Sequence, residues 1–355
     1  MRTWFRLSYL IPTLLVLAAL SVSTAWASTP LVYIVHSYEQ DHVCGKPQAD
    51  GVISTLKAHG LYPDKVTIRS YYMDTKRTHT SPQAIAEQGR LAMVEIEKLH
   101  PKVVVTLDDN AFRHVGLKLV GRKDVSVVFS GLNGQPEAYD KIRHFMDSRK
   151  HPGRNVTGVY EKLHLKRALT VAATVLKGLK KVVAITDVSP TGKGITRQLE
   201  IESAEGLPCE WDVRTTRNFD EYKKLILELN DDPEVQAIYP VAMTLDDGGK
   251  RATANEIFKW TIEHSVKPEI PVNYGFCRLG LFGGVSVDFE YMGKVAGAQV
   301  SSILNGTPAG DLPIVDAPNY AIVFNLARAN MLGITIPEDI LLASDTIYKE
   351  MELLK

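Results

Sequence analysis

Short apolar runs that alternate with amphipathic helical segments restrict what this chain can fold into more than any other feature. Leu31-Val32-Tyr33-Ile34-Val35-His36 is the first. A run with no polar alternation marks a strand buried on both faces of a parallel sheet. A helix at 47–59 follows, then strands at 66–72, 103–107 and 125–129, with a helix capped by Ser81-Pro82 running to Leu99. His151-Pro152-Gly153-Arg154-Asn155 interrupts the pattern and is read as the first crossing between lobes. The alternation then restarts with a helix carrying Leu165, Ala168, Leu169, Ala172, Val175 and Leu176 on one face. Strands at 182–186, 209–213 and 235–239 follow, with helices after Gly192, along Phe219, Tyr222, Leu225, Ile226 and Leu229, and up to His264. Two such runs predict an α/β protein of two Rossmann-like, doubly wound lobes.

The second crossing is read in 270–306. Ile270-Pro271-Val272 has the form of a short buried strand, and 273–284 that of a loop rich in glycine and aromatics. A helix follows with Phe289, Met292, Val295, Ala296, Val300, Ile303 and Leu304 at helical spacing, stopped by Asn305-Gly306. The expected division is residues 28–155 plus about 273–310 in lobe 1, and 156–272 plus about 311–355 in lobe 2, joined by a hinge. A cleft between lobes is where ligands bind.

Arg2 and Arg6 precede an apolar run at 10–20, and Ala25-Trp26-Ala27 has the small-x-small form of a signal-peptidase site. Residues 1–27 are therefore expected to be a signal peptide cleaved after Ala27, which places the protein in the periplasm. The alternative is an uncleaved anchor, for which the run is short. No later segment is apolar enough to span a bilayer. Lys+Arg and Asp+Glu both number 41, a balance that argues against a nucleic-acid or polybasic membrane surface. Cys44, Cys209 and Cys277 allow one disulfide in any of three pairings, or three free thiols.

From Ile270 onward the sequence resembles the ABC transporter substrate-binding protein family whose better-known members bind tryptophan and other aromatic amino acids. The residues that carry this are Pro271, Gly293-Lys294-Val295-Ala296-Gly297, Ile303-Leu304-Asn305-Gly306-Thr307-Pro308, Leu312-Pro313 and the run from Phe324 through Asn325, Ala327, Arg328, Leu332-Gly333 to Ile336-Pro337. The likeness extends upstream to Thr157-Gly158-Val159. The N-terminal half, with Ser37-Tyr38 and Met73-Asp74-Thr75-Lys76-Arg77, looks more like a branch that also occurs fused to sensor kinases. The resemblance implies hinged lobes of the periplasmic binding protein type I kind that close on a ligand, with no chemistry and no cofactor. Members that hold aromatic amino acids tend to have small residues after the third strand, where this chain has Asp108-Asp109-Asn110, a difference that weighs against tryptophan.

Ligands of open parallel sheets meet the carboxyl ends of the strands, so the loops there supply the candidate ligand residues. Ser37, Tyr38 and Glu39 follow the first strand. Asp108, Asp109 and Asn110 follow the third, where paired carboxylates would favour an ammonium or other cation; one of them can equally cap the next helix. Ser130 and Asn133, in a Gly-rich loop, could offer groups to an anion. In the second lobe Ser189 and Thr191 are the expected donors. Their Gly192-Lys193 is no phosphate loop, because the earlier glycine is missing and Gly194 stands where Ser or Thr is required. Thr244 and Asp246 follow the strand at 235–239. Tyr160 and Glu161 sit just beyond the first crossing, and Tyr274 and Phe276 just beyond the second, where the aromatics could stack on a flat ligand face or belong to the core. His36, His42 and Cys44 raise an alternative metal reading, although their spacing fits no standard ligand pattern.

No Gly-x-Ser-x-Gly elbow, His-Glu-x-x-His pair or dinucleotide fingerprint is present. The expected function is a periplasmic solute-binding protein, monomeric and not an enzyme, that delivers a small polar, amino-acid-like or amine-bearing ligand to an ABC permease. The alternatives are a ligand-sensing module for a receptor or histidine kinase ectodomain, and a metal-binding protein or metal-dependent enzyme.

Overall fold

The computed structural model describes residues 29–241 and 244–354; the expected signal peptide lies outside them. The first run of elements is β1 (Leu31–His36), α1 (Gly45–Ala58), β2 (Thr67–Tyr72), α2 (Pro82–Leu99), β3 (Val103–Leu107), α3 (Asp108–His114), β4 (Ser126–Leu132), α4 (Pro136–Asp140) and β5 (Val156–Tyr160). The second is α5 (Leu165–Val175), β6 (Lys181–Asp187), α6 (Pro190–Ser203), β7 (Glu210–Thr216), α7 (Phe219–Asp231), β8 (Val235–Pro240), the hairpin β9 (Thr244–Asp247) and β10 (Lys250–Thr253), then α8 (Ala254–His264). The chain continues through α9 (Tyr274–Leu279), β11 (Gly283–Val287), α10 (Phe289–Leu304), β12 (Val315–Asp316), β13 (Tyr320–Asn325), α11 (Leu326–Met331), α12 (Glu338–Leu342) and β14 (Thr346–Tyr348).

Lobe 1 is built on a parallel sheet in the order β2-β1-β3-β4-β5-β12. Successive side chains of a strand point to opposite faces, and the two faces form different cores. Val32, Ile34, Val103 and Val105 join Val52 and Leu56 of α1 and Ala296 and Val300 of α10. Tyr33, Val35, Val104 and Phe129 meet Ala92 and Ile96 of α2 and Phe112 of α3. Helices on both faces explain why the strands read as continuous apolar runs.

Lobe 2 has β7-β6-β8 and β11-β13-β14. The stretch expected as a strand at 270–272 joins them as extended chain: Ile270 N–H donates to Ile238 O at 2.9 Å, and Val287 N–H to Val272 O at 2.9 Å.

The lobe boundaries differ from the expected ones. β5 pairs with β4, all five of its residues are buried, and Asn155 holds the chain before β4 through Leu119 O and Val125 O, each at 2.9 Å. The break at Pro152-Gly153 is thus a loop within lobe 1, and the first crossing falls after Tyr160. Residues 273–287 belong to lobe 2, because β11 pairs antiparallel with β13. Its glycines disguised it as a loop; a Cβ on Gly283 would lie 2.4 Å from Val323 O, so the strands need glycine to approach. The chain recrosses at Asp288 into α10 and returns between β12 and β13.

The repeated glycines of the Gly293-Lys294-Val295-Ala296-Gly297 motif face α1. A Cβ on Gly293 would sit 2.1 Å from Gln48 O, and one on Gly51 would sit 2.2 Å from Glu290 O. Backbone meets backbone, so no side chain can yield. Gly293→Ala is expected to cost about 1–3 kcal/mol of stability through overpacking, seen as a lower urea midpoint; an unchanged midpoint would show that the helices can separate freely.

Candidate functional site

The carboxyl ends of the lobe 1 strands converge with the first turn of α6 and the 272–273 segment of lobe 2 around a small enclosed cavity of about 20 Å³. Lobe 1 supplies Tyr38, Cys44, Lys76, Asp108, Asn133 and Phe289, and the crossing itself supplies Glu161. Thr191, Ile195, Val272 and Asn273 close it from lobe 2. Contacts across the junction include the Tyr38 hydroxyl with Thr191, Asn273 Nδ2 with Cys44 Sγ at 3.4 Å, and Gln198 with both Tyr160 and Gln135.

Asp108 sits where β3 turns into α3 with φ at 65°, in the left-handed region that Asp tolerates better than most residues. Its Oδ1 accepts from Gln48 Nε2 at 3.5 Å, while Oδ2 is buried without a hydrogen-bond partner. Gly131, itself at φ 77°, makes room for this pair; a Cβ there would lie 2.7 Å from Gln48 Oε1. Lys76 reaches in from the loop after β2 with Nζ 4.1 Å over the Tyr38 ring, and that Nζ is also buried and unpartnered. The Ser130 hydroxyl and Gln48 Oε1 are in the same condition. An unsatisfied buried polar group costs about 1–3 kcal/mol, so a cluster of them marks a place where the fold is not optimised for stability.

Burial pushes the Asp108 carboxyl up to about 8; Lys76 opposes this and Asp109 adds to it. Burial, with Asp108 and Asp109 nearby, holds Glu161 well above the usual carboxylate range. A group with a raised folded pKa stabilises the fold at low pH and loses that contribution as pH climbs through the folded value. The ligand-free protein is therefore expected to lose stability between about pH 4 and 8, by up to about 1.4 kcal/mol per pH unit for each such proton. Chemical denaturation across this range should show that slope flattened in Asp108→Asn; an identical slope in the variant would remove Asp108 as its source.

The structure brings Tyr38, Asp108, Asn133, Glu161 and Thr191 together, and Ser130 adjoins them beside Leu107 in the sheet register. The other expected residues have different work. Ser37 Oγ donates to Leu107 O at 2.7 Å and accepts from Ala111 N–H at 2.8 Å. Asp109 accepts from Asn133 N–H, Gly134 N–H and the Tyr139 hydroxyl, which fixes the loop after β4. Asn110 donates to Thr75 Oγ1 at 2.9 Å. Ser189 caps α6, and Tyr160 makes the cross-lobe bond to Gln198. Phe276 is fully buried against Phe258 at 4.6 Å, and Tyr274 is half-buried beside the same core; neither lines the cavity. Glu39 and Thr244 line a separate outer groove, and Asp246 is exposed on the hairpin.

Lys76, Cys44, Gln48, Ile195, Val272, Asn273 and Phe289 were missed. Lys76 follows β2, and the rule that selected the other loops would have found it; Cys44, Gln48 and Phe289 reach the cavity from the starts of lobe 1 helices, which the rule does not cover, and Ile195, Val272 and Asn273 depend on how the lobes meet. His36 packs against the Tyr72 ring at 4.3 Å, and His42 Nδ1 accepts from Cys44 N–H at 3.2 Å. Among the described residues no group of three His, Cys, Asp or Glu is arranged to hold a metal ion, and Cys44, Cys209 and Cys277 are free thiols.

Residues 235–347 match the family model described as ABC transporter substrate binding protein. Over this segment, about a third of the chain, the sequence is similar to that family. The matched segment includes Asn325 and Arg328, whose side chains brace lobe 2 and do not line the cavity. Solved structures share the fold across nearly the whole chain. A conserved domain protein from Vibrio cholerae has TM-score 0.67 at 18% identity, covering 90% of this chain and 99% of that one. An ABC domain from Streptococcus pneumonia in complex with L-Trp has TM-score 0.65 at 18% identity, with 89% and 99% covered. A substrate binding protein with adhesive properties from Clostridium difficile, in a ligand-free open structure, has TM-score 0.66 at 14% identity, with 90% and 100% covered. No curated protein matches by sequence. The fold is of the periplasmic binding protein type I kind, and among the described residues no helix is long and apolar enough to cross a membrane.

Proposed function

We propose that this protein captures a small ammonium-bearing ligand between its lobes, in the periplasm, and presents the closed form to an ABC permease. The observation that carries this is the charge inventory of the cavity. Asp108 and Glu161 are 2% and 4% exposed, and Lys76 is the one ammonium in the cavity lining. Two buried carboxylates against one cation leave a site that stays protonated until a positive partner arrives. A ligand ammonium would supply that charge and give Asp108 Oδ2 the donor it lacks. A ligand carboxylate, where present, would answer Lys76 Nζ, which makes an amino-acid-like molecule the simplest fit. Closure of the lobes then couples occupancy to a change in population between open and closed forms.

Thermal-shift screening of the ligand-stripped protein against amines, amino acids, carboxylates and nucleosides tests this. A ligand selective for the folded state adds about 2.7 kcal/mol at a hundredfold excess over its Kd. The reading predicts stabilisation by ammonium-bearing compounds; stabilisation by anions or neutral compounds alone would overturn it.

A further inference from the structure

Lys76 lines a second concavity as well as the buried cavity. On the outer side of the lobe junction lies a groove of about 520 Å³, bordered by Lys76, Glu39 and Asp41 from lobe 1 and by Arg251, Arg278 and the first turn of α8 from lobe 2. The two volumes decide how a ligand can be arranged. A cavity of about 20 Å³ accepts little more than a water-sized group, whereas sites for whole small molecules run to roughly 300–1,000 Å³. The closed cavity therefore suits the head of a ligand, and the groove has room for the rest.

The charges on the groove's far wall suggest what that rest is. Arg251 has no ion-pair partner among the described residues, and Arg278 has only Glu352 Oε1 at 3.7 Å. Ala254 and Asn255 of α8 line the same wall, but Glu256 folds back on that helix end in a capping box, so the wall's positive charge is that of the two arginines. The carboxylates Glu39 and Asp41 lie on the opposite rim, beside Lys76 and Arg77. We infer that the ligand is an elongated molecule with charge at both ends: its ammonium sits on Asp108 and Glu161, its chain passes Lys76, and an anionic group reaches Arg251 and Arg278. This inference rests on the proposed reading of the cavity and extends it to a ligand longer than a single amino-acid backbone.

Calorimetry on the intact protein with three series of matched chain length tests it: ω-amino acids from glycine to 8-aminooctanoate, ω-aminoalkyl phosphates, and n-alkylamines. The expected result is an affinity maximum at intermediate length in one or both of the doubly charged series, tenfold or more above the alkylamine of the same length. Which series shows it assigns carboxylate or phosphate. In an Arg251→Gln/Arg278→Gln double variant, that ratio should fall to about one. If the anionic end confers no advantage at any length, or if the double variant keeps it, the inference fails while amine capture stands. If no amine of any series binds, the reading of the cavity falls and this inference falls with it.

Discussion

Arg328→Ala is expected to lower the unfolding free energy by about 3–5 kcal/mol, the usual cost of removing one member of a buried ion pair. Arg328 and Glu269 are both fully buried. The guanidinium grips both carboxylate oxygens of Glu269 and donates to Ile262 O and Ser265 O, each at 2.8 Å. Glu269 also accepts from Phe282 N–H at 3.2 Å, so the pair ties the end of α8, the chain at Glu269 and the entry to β11 to α11. Deleting the cation leaves Glu269 with the Phe282 amide but no counter-charge, and takes the Arg328 donor from two carbonyls, in a buried interior. Replacing both partners, as in Arg328→Met/Glu269→Gln, should cost clearly less than Arg328→Ala, because no uncompensated charge remains. Denaturant midpoints for the two variants check this; a loss below about 1 kcal/mol in Arg328→Ala would mean water reaches the pair.

Asp108→Asn should cut affinity for the ammonium ligand by roughly 30- to several-thousandfold, the equivalent of the 2–5 kcal/mol lost when one side of a buried, hydrogen-bonded charge pair is removed. The same change is expected to stabilise the ligand-free protein above neutral pH, since a neutral amide has no ionised form to exclude. Opposite signs for binding and stability separate a ligand group from a structural one. Asp109→Asn should behave in the reverse way: it weakens the bonds that hold Asn133, Gly134 and Tyr139 and so destabilises the fold first. Melting temperatures with and without ligand decide between these patterns. Asp108→Asn that melts earlier without ligand and binds normally would remove Asp108 from the site.

Most of the architecture was legible because strand and helix periods differ and because strands covered on both faces cannot alternate. The strand at 103–107, the cap at Ser81 and the stop at Asn305 appear where the pattern places them. The lobe boundaries were harder to read, since a Pro-Gly break looks the same whether it ends a lobe or a loop. Only the pairing of β5 with β4 distinguishes the two, and that is a contact across the sheet. Glycine misled in another way: in β11 it serves close strand approach, and in α10 it serves helix contact, while in sequence both resemble loops or caps.

At the cavity, the rule that ligands meet strand ends selected loops that reach it, but it did not separate the side chains that line it from their neighbours that do not. Asp108 and Asp109 are neighbours, yet one points into the cavity and the other binds its own lobe. The left-handed backbone at Asp108 creates that difference, and no spacing rule announces it. Aromatic residues beside glycine turned out to be core, as Phe276 shows, because burial next to Phe258 satisfies them completely. Of lobe 2's contribution Thr191 was expected, whereas Ile195, Val272 and Asn273 became visible only once the two lobes were set face to face.

The most direct test of the central claim is proton release on binding. At pH 6.5 the folded Asp108 is mostly protonated, given its pKa near 8, so an ammonium that binds its carboxylate must displace a proton. Calorimetry of the amine with the largest thermal shift, repeated in buffers of different ionisation enthalpy, reads the number released. The account predicts release approaching one proton per ligand, shrinking as pH rises past 8 and lost, with most of the affinity, in Asp108→Asn. A tight ligand that binds with no proton exchange, and binds Asp108→Asn and Glu161→Gln as well as the natural protein, would contradict it.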